Sequence, residues 1–117
     1  MFSSIYLFPV PRAHADAFVR VQGDAAVIYR EHGCVDDVTY APADLAAKYG
    51  CAGFGDVLPL RSEEQLFVGV STFRERSPHD EVMARVDADP RIARLYEQVT
   101  GLLEIGRVVR GEFERVA

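Results

Sequence analysis

The chain has little of what marks several large classes of protein. Its two cysteines, Cys34 and Cys51, stand seventeen positions apart with no Cys-x-x-Cys pair, which favours reduced thiols and a cytoplasmic location over a disulfide framework. There is no run of lysine or arginine, and the net charge is -5, so a nucleic-acid or anionic-membrane surface is disfavoured. No stretch approaches the roughly 20 apolar residues that span a membrane. Small molecules and proteins are therefore the expected partners.

The composition is that of one globular domain covering residues 1–117. Apolar residues make up 49% of the chain and charged residues 26%, far from the disordered and membrane classes. A chain of this length buries a small core and leaves about a third of its unfolded surface exposed. Packing against a partner would therefore help to stabilise it.

The stretch from Leu66 to Phe73 is the strongest structural signal. It is rich in β-branched and aromatic residues and predicts a strand. Neither of the two alternating sets of side chains along this strand is polar. We therefore expect both faces of the strand to be buried against other parts of the protein. Helices of so short a chain can cover one face of a small sheet only. We therefore expect a second copy of the chain to cover the other face.

The remaining elements follow from periodicity, prolines and capping residues. Three further strands are predicted, at Phe2–Val10, Cys34–Ala41 and Ile105–Phe113. A long helix is predicted from Arg12 to Gly33, a short one at Ala43–Tyr49, and two more that begin at caps Ser77 and Asp89. The glycine-bearing segment from Ala43 to Pro59 is the candidate lid or entrance.

This order of elements predicts an α+β, ferredoxin-like fold. Strand, helix, strand, strand, helix, strand is the split βαβ arrangement, with a four-stranded antiparallel sheet and helices on one face. Two such sheets that close their bare faces on each other form a dimeric α/β barrel. The two-sided apolarity of the central strand agrees with that assembly.

Four motifs in order along the chain resemble the bacterial uncharacterised-domain family numbered 1428, the YbaA-like proteins. They are Tyr6–Pro11, Tyr29–Gly33, Val86–Arg91 and Arg110–Phe113. The resemblance implies the dimeric α/β-barrel superfamily, which includes small monooxygenases, muconolactone isomerases and haem proteins. It implies fold and dimerisation, and no established activity comes with it.

The chain departs from this family at three positions. Tyr40 and Val70 stand where the family commonly has tryptophan, and the chain contains no tryptophan at all. Met83 stands where the family often has asparagine. A pocket lined by those rings would be reshaped in this protein.

One cluster in the sequence has the residue types of a metal site. His32, Cys34, Asp36 and Asp37 lie at one helix-to-strand junction, and a metal needs at least three converging side chains. Asp36 and Asp37 point to opposite faces of a strand, and a helix C-terminus explains His32. We therefore expect no metal and no cofactor.

A second candidate site is the inward face of the barrel. Tyr6, Tyr40, Ser71, one of Asp36 and Asp37, and Arg107 or Arg110 could meet there as a mixed polar and aromatic lining. Sequence parity leaves open which set points inward. The predicted ligand-binding residues are Tyr6, Asp36, Tyr40, Ser71 and Arg107.

Three functions are compatible with these features. The first is a homodimer that binds a small, partly apolar molecule in its barrel. The second is a cofactor-free enzyme of the monooxygenase or isomerase kind, which needs an inward Asp, His or Tyr beside an open cavity. The third is a structural or protein-interaction module with a filled barrel. Catalysis therefore stays an open question at the level of the sequence.

Overall fold

The computed structural model describes residues 1–117 as a two-layer α+β domain. Its four strands and four helices are joined by loops and two short 3-10 turns. The strands are β1 Phe2–Pro11, β2 Asp36–Tyr40, β3 Glu64–Phe73 and β4 Val109–Glu114. The helices are α1 Ala15–Glu31, α2 Phe54–Val57, α3 Arg76–Asp87 and α4 Pro90–Thr100, and the turns are Arg12–His14 and Ile105–Arg107.

The strands form one antiparallel sheet in the order β2-β3-β1-β4. The central pair, β1 and β3, aligns Tyr6 with Gly69 and Ser4 with Ser71. β2 adds Thr39 and Asp37 to these two rows, while β4 adds Arg110 and Glu112. The predicted ferredoxin-like fold, with its helices on one face of the sheet, is confirmed.

Two separate apolar clusters hold the helices against the sheet. Both use aromatic residues from β1 or β3, with helix residues packed over them. The cluster at one end consists of Val10, Phe18, Val21, Phe67, Val99 and Leu103. The cluster at the other end consists of Phe2, Cys34, Phe73, Val82 and Val86. The middle of the sheet, where Gly69 lies, belongs to neither cluster.

Helix boundaries follow the predicted signals where those are local. Gly33 follows the last turn of α1 with φ +108°, the left-handed conformation expected of a glycine that ends a helix. Asp89 caps α4 as predicted, because its side chain accepts a hydrogen bond from the Arg91 backbone N–H, with Pro90 in the first turn.

One predicted element is wrong, and two others begin at different residues than predicted. Residues 43–49 form bends and a turn instead of a helix, and a single helical turn, α2, forms further along inside the glycine-bearing segment. Helix α3 begins at Arg76 without a side-chain cap, so Ser77 lies inside it. The last strand starts at Val109, because residues 105–107 form a 3-10 turn.

His79, in the first turn of α3, is buried against aromatic rings. Only 8% of its surface is exposed, and its ring lies 4.9 Å from the Phe2 ring and 4.7 Å from the Phe73 ring. Its Nδ1 hydrogen-bonds with the Asp80 carboxylate at 2.8 Å. This first turn of α3 is therefore part of the apolar cluster around Phe2.

Candidate functional site

A cavity of about 320 Å³ lies between the sheet and the helices, in the gap between the two apolar clusters. Its volume is within the range of small-molecule sites. Eleven of its sixteen lining residues are hydrophobic, so an occupant would be largely in apolar contact. We call it the central cavity.

Small residues at the centre of the sheet give the cavity its depth. A Cβ at Gly69 would come within 3.0 Å of Phe8 Cε2 and 3.7 Å of Gln22 Nε2, so any side chain there would occupy the floor. Ala25 of α1 lines the opposite wall. The cavity therefore depends on two positions that have almost no side chain.

The polar groups of the cavity come from the two central cross-strand rows of the sheet and from α1. Ser71 Oγ donates a hydrogen bond of 2.6 Å to Asp37 Oδ1. Gln22 Nε2 lies 3.4 Å from Thr39 Oγ1 on the same side. Tyr29 of α1 lines the cavity beside them. One end of the cavity is therefore rich in oxygen atoms.

Arg110 marks the other end of the cavity. Its Nε donates to Tyr6 Oη at 3.2 Å, and its guanidinium lies 5.3 Å from the centre of the Tyr6 ring. It also donates to Glu112 Oε2 at 2.6 Å. The pKa of Arg110 is raised, mainly by Glu112. This cation is therefore already paired within the protein.

Burial shifts the acid-base properties at the oxygen-rich end. It raises the pKa of the Asp37 carboxyl, against the opposing effects of the Ser71 hydrogen bond and the Arg30 charge. It also raises the pKa of the Tyr29 phenol, and the neighbouring Asp37 adds to that shift. Both groups are therefore held more strongly in their neutral forms than in water.

The five predicted site residues do not meet in one place. Tyr6 and Ser71 line the central cavity, on the face of the sheet that carries the helices. Asp36 and Tyr40 lie on the other side of the sheet. They pair with Thr72 and Val68, and paired residues share a face. Thr72 and Val68 alternate along β3 with Ser71 and Gly69, which line the cavity.

Arg107 lies apart from the other predicted residues and forms an ion pair with Glu64. It lies in the 3-10 turn before β4 and donates two hydrogen bonds to the buried carboxylate of Glu64, at 2.5 Å and 2.8 Å. The same contact lowers the pKa of Glu64 to about 2. Arg107 therefore stabilises the junction between this turn and β3.

The cavity also differs in position from the predicted barrel interior. It faces the helices of the same chain, whereas a barrel would close over the opposite face of the sheet. The sequence left Asp37 and Arg110 open as alternatives to Asp36 and Arg107. In the structure Asp37 and Arg110 line the cavity. Tyr29 and Gln22 were missed, although their spacing of seven residues along α1 puts them on one helix face.

The residues of the possible metal site diverge. His32 Nε2 lies 2.8 Å from Asp89 Oδ2, and Cys34 Sγ donates to the backbone oxygens of Asp36 and Thr72. Burial raises the pKa of the Cys34 thiol to about 11. No group of three or more His, Cys, Asp or Glu residues is arranged to hold a metal ion.

The segment predicted as a lid contributes no residue to the central cavity. Residues 43–59 carry a small bridge between Lys48 and Cys51 and the single turn of α2, and the cavity is lined by other elements. None of the helices combines the length and the apolar character needed to cross a bilayer. The cytoplasmic location stays a prediction.

The sheet, the one-sided helices and the central cavity together define a ferredoxin-like domain. The chain belongs to the family described as "Protein of unknown function (DUF1428)", which matches residues 1–100. The family expected from the four motifs is thus confirmed. No curated protein matches the chain.

Several solved structures share the fold at low sequence identity. Protein Atu4242 from Agrobacterium tumefaciens, also described as a nipsnap family protein with unknown function, is 18% identical, with a TM-score of 0.63 over 99% of this chain and 94% of that one. An antibiotic biosynthesis monooxygenase is 12% identical, with a TM-score of 0.62 and full coverage of both chains. PA3566 from Pseudomonas aeruginosa is 14% identical, with a TM-score of 0.63 over 99% and 94%. At these identities the likeness concerns the fold.

Proposed function

We propose that the protein is a homodimer in which each subunit binds a small, partly apolar molecule in the central cavity. The cavity itself carries this proposal, because a volume of about 320 Å³ opens where a packed core would otherwise continue. Its apolar walls and few oriented polar groups are typical of ligand sites. A purely structural module would be expected to fill this space.

The second copy is proposed from the face of the sheet that carries no helix, which we call the open face. Its central residues are apolar and only half-buried, namely Ile5, Leu7, Val38, Val68 and Val70. Tyr40, Val109 and Phe113 extend the same surface and are each about half exposed. A contiguous apolar surface of this kind marks an interaction site. A two-fold axis would pair it with itself.

Native mass spectrometry of freshly purified protein tests both parts of the proposal. We expect a dimer, with extra mass from a co-purified small molecule. The variant Ala25→Leu should fill the cavity wall and remove that extra mass. Ala84→Leu, the same change at an exposed position of α3, is the control and should retain it. A monomer would contradict the dimer, and equal retention in both variants would contradict binding in the cavity.

Asp37 favours a second candidate function, that of a cofactor-free enzyme. A carboxylate whose pKa is raised by burial is a stronger base than a free aspartate, so it accepts a proton from a bound molecule more readily. One structure of the same fold is described as an antibiotic biosynthesis monooxygenase, so the architecture accommodates catalysis. Consumption of a bound molecule by the native protein, and its loss in Asp37→Asn, would support this candidate. Unchanged turnover in Asp37→Asn would exclude Asp37 as the acid or base.

A further inference from the structure

One carboxylate oxygen of Asp37 accepts no hydrogen bond from the rest of the protein. Asp37 Oδ1 accepts the hydrogen bond from Ser71, whereas Oδ2 receives none. Neither oxygen has a cation within ion-pair distance. Arg30, the cation that acts on this carboxyl, donates to the Asp37 backbone oxygen at 3.2 Å and lies 3.6 Å from Asp36 Oδ1. Asp37 therefore lines the central cavity as a carboxylate without a directly paired counter-ion.

Apart from the Gln22 amide, which points to Thr39, the polar groups of the lining beside this carboxylate are acceptors or acids. Ser71 uses its proton on Asp37, which leaves its oxygen lone pairs free, and Tyr29 adds a phenol oxygen to the same wall. The ionisable groups that act on Tyr29 are all acids, Asp37 first and then Tyr6, Asp87 and Cys34. This end of the cavity therefore has a negative potential that favours a cation.

Aromatic rings surround the rest of the space. Four of the lining residues are aromatic: Tyr6, Phe8, Tyr29 and Tyr96. The faces of such rings attract organic cations, an effect that grows when water is excluded. The apolar side chains of α4 complete the wall opposite the sheet, with Ile92, Leu95 and Val99. The lining thus combines one carboxylate with an aromatic and aliphatic enclosure.

An anionic ligand fits this end poorly. A second carboxylate beside Asp37 would be repelled, and burial makes such repulsion costly. The cation that could receive it, Arg110, pairs with Glu112 and Tyr6. Arg110 is also three strands away from Asp37 in the sheet, which corresponds to about 14 Å.

We propose that the central cavity selects an organic amine, with its ammonium group on the free oxygen of Asp37 and its apolar body between α4 and the centre of the sheet. The three N–H donors of a primary ammonium would find Asp37 Oδ2, Ser71 Oγ and Tyr29 Oη as acceptors. This inference rests on the proposed function, since it names the chemical class of the ligand for that same cavity.

Three probes of matched shape test it, namely 2-phenylethylamine, 2-phenylethanol and phenylacetate. Each is titrated into uniformly labelled full-length protein and followed by the backbone amide shifts of cavity residues. We expect the amine to bind about tenfold more tightly than the alcohol, because a charge-assisted hydrogen bond replaces a neutral one. Phenylacetate should bind most weakly.

Asp37→Asn and Asp36→Asn are the paired variants. Both remove one negative charge from adjacent positions of β2, but only Asp37 lines the cavity. The amide introduced by Asp37→Asn would keep an oxygen to accept from Ser71, so the fold should survive, which the amide spectrum checks. The preference for the amine should disappear in Asp37→Asn and persist in Asp36→Asn.

The failures of the two proposals are distinguishable. Equal binding of amine and alcohol to the native protein, or an amine preference that survives in Asp37→Asn, would overturn the amine inference and leave the cavity as a binding site. Shifts confined to residues outside the cavity, or no binding by any probe, would overturn the cavity proposal and the amine inference together.

Discussion

Asp37 combines a position in the cavity wall, a short hydrogen bond from Ser71 and an oxygen without a partner. Such a group does not stabilise the fold when it is charged, since burial removes water that would otherwise solvate it. Residues of this kind are frequent at functional sites, where the charge serves a ligand and not the protein's own stability. The same reasoning explains why Glu64, also a carboxylate, is structural, because Arg107 neutralises it.

The first prediction concerns the stability of the Asp37→Asn variant. The pKa of Asp37 is raised in the folded protein, so the folded state binds a proton more readily than the unfolded state does. Asp37 therefore favours folding most below its ordinary pKa, and this contribution is lost as the pH rises through the folded pKa. At pH 7 the neutral asparagine should raise the thermal unfolding midpoint.

Thermal unfolding of both proteins between pH 3 and pH 8 checks this. The advantage of the variant should shrink as the pH falls toward the ordinary pKa of aspartate. Asp36→Asn, at an exposed position, should show no comparable trend. A lower midpoint for Asp37→Asn at pH 7 would indicate that the Ser71 hydrogen bond needs the carboxylate.

At the scale of elements, α1, α4 and β3 decide the form of the cavity. Helix α4 begins at a cap that also links it to the end of α1, because Asp89 binds both the Arg91 backbone and the His32 ring. The Arg91 guanidinium, which also donates to this carboxylate, holds the pKa of Asp89 far below its usual range, and the His32 ring and the Arg91 backbone N–H add to the shift. The cap therefore sets the position of α4, which supplies one wall of the cavity.

The second prediction tests this cap. Asp89→Ala removes the acceptor for the first turn of α4 and for His32, so the unfolding midpoint should fall by several degrees. Asp89→Asn keeps a side-chain oxygen for the Arg91 N–H and should therefore show a smaller fall. Differential scanning calorimetry measures both. Equal midpoints for the alanine variant and the native protein would show that α4 is positioned by its apolar face alone.

The third prediction concerns the two faces of the sheet. Phe73 is 1% exposed and belongs to the cluster with Phe2 and Val86. Phe73→Ala should therefore lower the free energy of unfolding by about 3 to 5 kcal/mol. Phe113 lies on the open face and is 56% exposed, so Phe113→Ala should cost the folded subunit much less.

Chemical denaturation checks both values. The two phenylalanines differ in the layer they belong to, so the comparison separates the core from the proposed interface. A small loss for Phe73→Ala would place it outside the core. A large one for Phe113→Ala at concentrations where the protein is monomeric would contradict its assignment to the open face.

In the molecule as a whole, helices cover one face of the sheet and leave the other face open. The helices and both apolar clusters occupy one face, while apolar side chains of all four strands remain on the open face. A helical layer on one side of an antiparallel sheet is stable by itself. The open face is nevertheless more apolar than a solvated face requires, which supports the proposed second copy.

The fourth prediction tests that assembly. Val70 is half-buried at the centre of the open face, opposite Ile5 and Val38. Val70→Glu should convert the dimer to a folded monomer, because each copy would place a charge in the interface. Analytical ultracentrifugation measures the assembly, and Val27→Glu on the exposed side of α1 is the control.

The monomeric variant should keep the central cavity, which is built within one chain. Binding of the probe amine by Val70→Glu would therefore be close to that of the native protein. A dimer that persists in Val70→Glu would show that the interface does not lie on the open face. Loss of binding together with dimerisation would mean that the partner completes the cavity.

The order of the elements was determined by local signals in the sequence. The apolar run in β3, the glycine that ends α1 and the Asp89–Pro90–Arg91 start of α4 each depend on neighbouring residues only. The predicted helix at 43–49 and the Ser77 cap were wrong. The Asp44 side chain accepts a hydrogen bond from the Ala46 backbone N–H, a local contact that competes with a helix, and helix α3 begins one residue before Ser77. The strand predicted to begin at Ile105 was shortened because Arg107 turns toward Glu64.

Only the tertiary structure decided which parity of each strand faces the helices. Alternation determines that Asp36 and Asp37 lie on opposite faces, and it leaves the choice between them open. That choice follows from the register of β2 against β3, in which Asp37 pairs with Ser71 on the helix-bearing side. The central cavity depends on the same tertiary arrangement, since Gly69 and Ala25 line it from opposite layers although they are 44 positions apart in the chain.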